Sequence, residues 1–192
     1  SGICFDICKG DCIMLCGANG SGKTTLMKSI ARSAGDGLAA MIPSRIPKVK
    51  GFTSREFIRI CCYSRSDMGG RLTQEQEEAV NAAMDRMELG HLSDRDISTL
   101  SDGEFQKATI AAALAREASI ILLDEPTAFL DAENRINVLK ALRDICDSDR
   151  HPAVIFSTHD LHDGLSCASK VIALGADGRC RCSSEDLEKT VS

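Results

Sequence analysis

Residues 12–34, CIMLCGANGSGKTTLMKSIARSA, constrain the fold more tightly than any other stretch of this chain. An apolar run leads directly into a glycine-rich loop, and the loop leads into a segment whose Leu26, Met27 and Ile30 recur at helical spacing. Gly17, Gly20, Gly22, Lys23 and Thr24 fit the pattern G-x-x-x-x-G-K-[ST], with Asn19, Ser21 and Thr25 completing the loop. Phosphate chemistry requires these residue types at this spacing. Glycines let successive backbone N–H groups turn inward on a polyanion, a lysine reaches the terminal phosphates, and a threonine hydroxyl ligates magnesium. Such a loop works between a buried strand and the first turn of a helix. It therefore predicts a strand–loop–helix unit in an α/β protein that binds a nucleoside triphosphate.

The remaining segments continue the alternation. SIILLDEP and AVIFSTHD are continuous apolar runs, the pattern of strands buried on both faces of a mainly parallel sheet. ICFDI reads as a short strand joined to CIMLCG by the turn CKGD, LAAMI as another short strand, and KVIALGADGRCRC as a hairpin. Helices are predicted over TSREFIRICCY, LTQEQEEAVNAAMDRMEL, LSDGEFQKATIAAALARE, AENRINVLKALRDICDS and the short LHDGLSCAS. Those between residues 53 and 116 have no strands among them, which predicts a helical subdomain. The expectation is one domain, residues 1–192, with a catalytic core of approximately 1–43 and 117–192 and a helical subdomain of approximately 52–116.

Composition excludes several function classes. Apolar residues make up 43% and charged residues 27% of the 192, which supports a packed core without disulfides or structural metal. The net charge is −5 and no Lys/Arg run forms a phosphate-binding stripe, so no nucleic-acid partner is expected. No apolar run reaches the roughly 18–20 residues of a membrane helix, and the first residues lack the pattern of a signal peptide. The expected location is the cytoplasm. The ten cysteines lie in apolar segments and read as reduced thiols. Cys4, Cys8, Cys12 and Cys16 are spaced by four, but the turn at Gly10 and Asp11 divides them, and they read as small buried hydrophobes, as do Cys180 and Cys182.

Two carboxylates end the strand in SIILLDEP. Asp124 is placed to hold magnesium, and Glu125, whose side chain leaves the strand on the other side, to turn toward an attacking water as general base. The stretch LSDGEFQK, residues 100–107, then narrows the family. With it the chain resembles the ATP-binding subunits of ABC (ATP-binding cassette) proteins over essentially its whole length, their signature being LSGGQ or LSGGE. The resemblance implies a P-loop NTPase core with a helical subdomain carrying the signature, and N-terminal antiparallel strands that are incomplete in this sequence. It implies ATP and magnesium as ligands, with magnesium on Thr24 and Asp124. Ser101, Gly103 and Glu104 would act on ATP held by a second copy in a head-to-tail dimer. Asp131 in AFLD would line the dimer interface, and His159 in FSTHD would sense the γ-phosphate. His91, His151 and His162 match nothing and are expected at the surface.

The family's glutamine after the first helix, which touches magnesium and couples to the membrane partner, aligns with Ser44. Its side chain is shorter, so either Arg45 or a water takes its place, or the coupling is altered. The Thr25–Ser44 interval is shorter than in the family, the adenine-stacking aromatic would precede ICFDI, and Asp102 adds a negative charge inside the signature. A single cassette without heptads resembles an importer ATPase peripheral on the inner face of the cell membrane. Its partners would be separate permease subunits and a substrate-binding protein. Within importers, P…G.TSREF and the lead DRDISTLSDGE are similar to the subunits that energise uptake of iron–siderophore, haem or cobalamin complexes. The alternatives are a non-transport soluble ABC ATPase or a slow nucleotide-gated binding module.

Overall fold

The computed structural model describes residues 5–35, 37–62, 72–175 and 180–183. They divide into two compact units, one of Ser1–Ser44 with Ser119–Ser192 and one of Arg45–Ala118.

The first unit is built on a sheet of β1 (Cys12–Gly17), β2 (Ala39–Ile42), β3 (Ile120–Leu123), β4 (Ala153–Ser157), β5 (Lys170–Leu174) and β6 (Cys180–Ser183). The strand order is β2-β3-β4-β1-β5-β6. Every pairing is parallel except that of β6 with β5. The apolar runs become the inner strands because a strand with helices on both faces has no solvent side to fill with polar residues. Ile13, Leu15, Met27, Leu122, Ile155 and Ile172 form a buried cluster where β1, β3, β4 and β5 meet α1 (Lys23–Ala34). Among the described residues, the other helices of this unit are α5 (Ala132–Cys146) and α6 (Leu161–Cys167), entered through Asp131 and Asp160, whose side chains accept from Asn134 N and Asp163 N.

The strand expected in ICFDI is not seen among the described residues, and Ile3 and Cys4 lie outside them. Residues 5–7 of ICFDI are not in a strand, because both edges of β1 are taken, one by β4 and the other by β5. Phe5 and Ile7 instead pack against the core cluster, and Asp11 closes the turn by accepting from Cys8 N at 2.7 Å. The cysteines divide accordingly. Cys12 and Cys16 are buried in β1, whereas Cys8, on the turn ahead of it, and Cys182, on the edge strand β6, are exposed rather than buried. Cys4 lies outside the described residues. The hairpin of β5 and β6 is present; its turn also lies outside them.

The second unit contains α2 (Ser54–Cys62), α3 (Gln74–Arg86) and α4 (Asp102–Leu114), with 3₁₀ turns at Gly90–Leu92 and Ile97–Thr99. Tyr63, expected in the first of these helices, lies outside the described residues. α3 and α4 both begin with full capping boxes, Thr73 with Gln76 and Ser101 with Glu104. α4 buries Phe105, Ala108, Ile110, Ala111, Ala112 and Ala113 on several sides, and its small residues let α2 and α3 approach closely. The Phe57 and Phe105 rings meet at 5.9 Å between centroids.

Candidate active site

The residues expected to handle phosphate gather at the carboxyl ends of β1, β3 and β4, the end of a parallel sheet where loops diverge and leave room for a ligand. Gly17 closes β1 at φ 147°, and a Cβ there would lie 2.5 Å from Leu174 O and 2.7 Å from Ser21 Oγ. No other residue type fits. Gly20 (φ 80°) and Gly22 (φ 98°) have nothing within 4 Å of an added Cβ, so their glycines serve backbone conformation rather than close packing. Gly22 precedes α1, which has no side-chain cap and no acidic residue in its first turn. The leading N–H groups of α1 are thus matched to an anion. Lys23 is buried beneath the loop, its Nζ donating to Gly17 O at 2.7 Å and Ala18 O at 3.1 Å. Ser21 Oγ is buried without a hydrogen-bond partner. Asn19, Gly20, Thr24 and Thr25 are exposed around this cradle. An orphaned hydroxyl, an uncapped helix start and a buried ammonium fit a polyphosphate.

A continuous polar chain runs from this loop across the sheet. Thr24 Oγ1 donates to Asp124 Oδ2 at 2.7 Å, and Ser157 Oγ donates to Asp124 Oδ1 at 2.8 Å. The same Ser157 oxygen accepts from Glu125 N at 2.8 Å. Glu125 has φ 53°, a left-handed conformation that swings its side chain off the strand direction. Its Oε1 lies 2.5 Å from His159 Nε2. Asp124 is 7% exposed and its main chain is tied to β2 by Asp124 N donating to Ile42 O at 3.0 Å. Thr24 and Asp124 offer the hard oxygen donors that magnesium takes.

Asp131 caps α5, and the backbone N–H of Asn134 holds its carboxyl below the ordinary range. Asp160 caps α6, is lowered likewise by Asp163 N–H, and pairs with Arg135. This ties the residue after His159 to the first turn of α5. Ser44 stands exposed two residues beyond β2. His91, His151 and His162 are exposed, as expected.

In the second unit, Ser101 Oγ accepts from Glu104 N at 3.2 Å and Glu104 Oε2 accepts from Ser101 N at 2.8 Å. The Ser101 N–H lowers the Glu104 carboxyl. Gly103 is buried in the first turn of α4. Sequence reasoning overlooked Ser157, whose signal was a lone hydroxyl closing the apolar run AVIFS. It also overlooked Lys48, whose Nζ donates to Asp102 Oδ1 at 2.7 Å.

Residues 1–128 match the family described as ABC transporter. The chain is 30% identical over 190 residues to the ferric enterobactin transport ATP-binding protein FepC of Escherichia coli, covering 88% of this chain and 70% of that one. It is 34% identical over 183 residues to the aliphatic sulfonates import ATP-binding protein SsuB 2 of Pseudomonas syringae pv. syringae, covering 93% and 64%. Its fold resembles that of MJ0796, a bacterial ABC transporter cassette solved as a dimer, with a TM-score of 0.73 at 21% identity over 94% of this chain and 88% of that one. The chain thus spans roughly two thirds of the length of the curated relatives it matches.

Proposed function

The chain belongs to the ABC transporter family of ATP-binding cassettes, and we propose that it binds and hydrolyses ATP as the energising subunit of an importer. The observation that carries this reading is the unbroken chain Thr24–Asp124–Ser157–Glu125–His159, laid beside a loop shaped for phosphates.

Lys23 and the first N–H groups of α1 bind the β- and γ-phosphates and orient the γ-phosphorus for in-line attack. Thr24 and Asp124 would hold magnesium, which neutralises charge on the phosphate oxygens when bound. Glu125 orients a water and takes its proton as the water oxygen bonds to phosphorus and the bond to ADP breaks. His159, in contact with Glu125, fixes the direction of that carboxylate and reports the γ-phosphate to α6. Ser157 holds Asp124 and the Glu125 backbone in register, so the metal ligand and the base move as one.

A second copy completes the site. Ser101, Gly103 and Glu104 open α4, where the helix start favours an anion, and they act on the ATP of the facing copy. Asp131, at the head of α5, lines the same interface. The segment around Ser44 passes the nucleotide state to a permease, which places the chain peripherally on the inner face of the membrane, served by a substrate-binding protein. The relatives' names reach from ferric enterobactin to aliphatic sulfonates. The proline-bearing loop and the DRDISTLS lead favour an iron–siderophore, haem or cobalamin-type cargo.

Glu125→Gln tests the assignment. It is expected to lower turnover by about 10²–10⁴-fold while equilibrium titration still shows ATP binding. Full turnover by this variant would contradict the role given to Glu125, and turnover by the unmodified chain separates an active motor from a slow nucleotide-gated module.

A further inference from the structure

The signature turn carries an acid where the resemblance expects glycine. Asp102 follows Ser101 at the first position of α4, and its side chain is 69% exposed. If it were unpaired, its charge would sit beside the helix start that must receive a phosphate of the facing copy. It is paired. Lys48 Nζ donates to Asp102 Oδ1 at 2.7 Å and to Leu100 O at 2.8 Å, and it lies 5.4 Å from the centre of the Phe105 ring. Carboxylate, carbonyl and aromatic face together fix the ammonium over the residues flanking Ser101. These three partners come from one short segment, residues 100–105, and Lys48 reaches two of them from 52 and 54 positions away in sequence. The contact therefore also ties the loop preceding α2 to the head of α4.

We propose that Lys48 is a positioning residue for ATP bound in trans: it cancels the charge of Asp102 and so restores a phosphate-accepting signature. The inference rests on the reading of Ser101, Gly103 and Glu104 as acting on the partner's ATP. Across the pair of residues 48 and 102 the charge sums to zero in the native chain. It becomes −1 in Lys48→Ala, +1 in Asp102→Asn and zero again in the double variant. Charge near a polyphosphate acts over several ångströms and is screened by salt. A structural tether would behave differently, because removing either partner would break it.

The experiment places each change in the Glu125→Gln background and measures, by sedimentation, the ATP concentration that half-converts the chain to dimer. At low ionic strength Lys48→Ala is expected to raise that concentration by about three- to tenfold, Asp102→Asn to lower it, and the double variant to return close to the parent. In roughly 0.5 M salt the differences should shrink toward unity. Urea unfolding of each variant checks that it is folded. If Asp102→Asn weakens ATP-driven dimerisation as much as Lys48→Ala, or if all four proteins share one half-point, the proposal is overturned. If the Glu125→Gln parent itself fails to dimerise with ATP, it is the two-copy site that fails, and the charge proposal falls with it.

Discussion

Glu125 leaves β3 in a left-handed conformation that a non-glycine residue adopts only when its surroundings hold it there. The hold is visible: its N–H reaches Ser157 Oγ, its carboxylate reaches His159, and its C=O accepts from Ala128 N at 3.1 Å. Ser157 is fully buried and serves both carboxylates of the site, donating to one and accepting from the backbone of the other. Its replacement by alanine leaves Asp124 Oδ1 and Glu125 N without that partner in a closed environment. Ser157→Ala is expected to lower stability by about 1–3 kcal/mol in urea unfolding. Turnover should fall about tenfold or more, because the strained turn at Glu125 relaxes. Unchanged kinetics in this variant would show that the role proposed for Glu125 does not depend on that hydrogen bond. The sequence made Asp124, Glu125 and His159 legible, since each ends an apolar run in a recognisable order. It did not show Ser157, whose partner is 33 residues away. It did not show Lys48 either, whose partner is 54 away. Pairings across such separations are set by strand order and loop path, which no local pattern records.

At the scale of elements, the helix starts were legible because a capping box is written within four residues. Thr73 with Gln76 and Ser101 with Glu104 both close as the spacing implies. Residues 5–7 of ICFDI do not join β1 as their pattern implies, because pairing depends on which edges are free, and β4 and β5 occupy those of β1. α6 shows how closely an element can be fitted to the site. Gly164 lies inside this helix, and a Cβ there would come within 2.5 Å of Met14 Sδ and 2.8 Å of Thr158 Cγ2. In an open helix, Gly→Ala would stabilise by about 1 kcal/mol. Here Met14 is enclosed in the core and Thr158 immediately precedes His159, so overpacking of about 1–3 kcal/mol opposes that gain. Gly164→Ala is expected to lower the thermal midpoint and to reduce turnover by displacing His159. A raised midpoint with full activity would mean that α6 has slack against β1.

At the scale of the whole molecule, the chain divides its chemistry between two compact units. One carries the glycine-rich loop, the Thr24–Asp124 hydrogen bond and the Glu125–His159 contact; the other carries LSDGE at the head of α4. In the proposed mechanism, a productive site draws the first set from one copy and the second from another. Half the machinery is therefore contributed in trans. The parallel character of the sheet and the phosphate loop were legible in the sequence because burial on both faces and glycine spacing are strong local signals. The proposed two-copy assembly rests on the likeness of LSDGEFQK to the family signature, which no local pattern of burial or spacing would suggest. The most direct test is the ATPase rate per chain measured across protein concentrations from nanomolar to tens of micromolar, with magnesium and saturating ATP. A shared site predicts a specific activity that rises with concentration and then levels off as the two-copy form fills. A specific activity that stays constant down to concentrations at which the protein sediments as a monomer would contradict it.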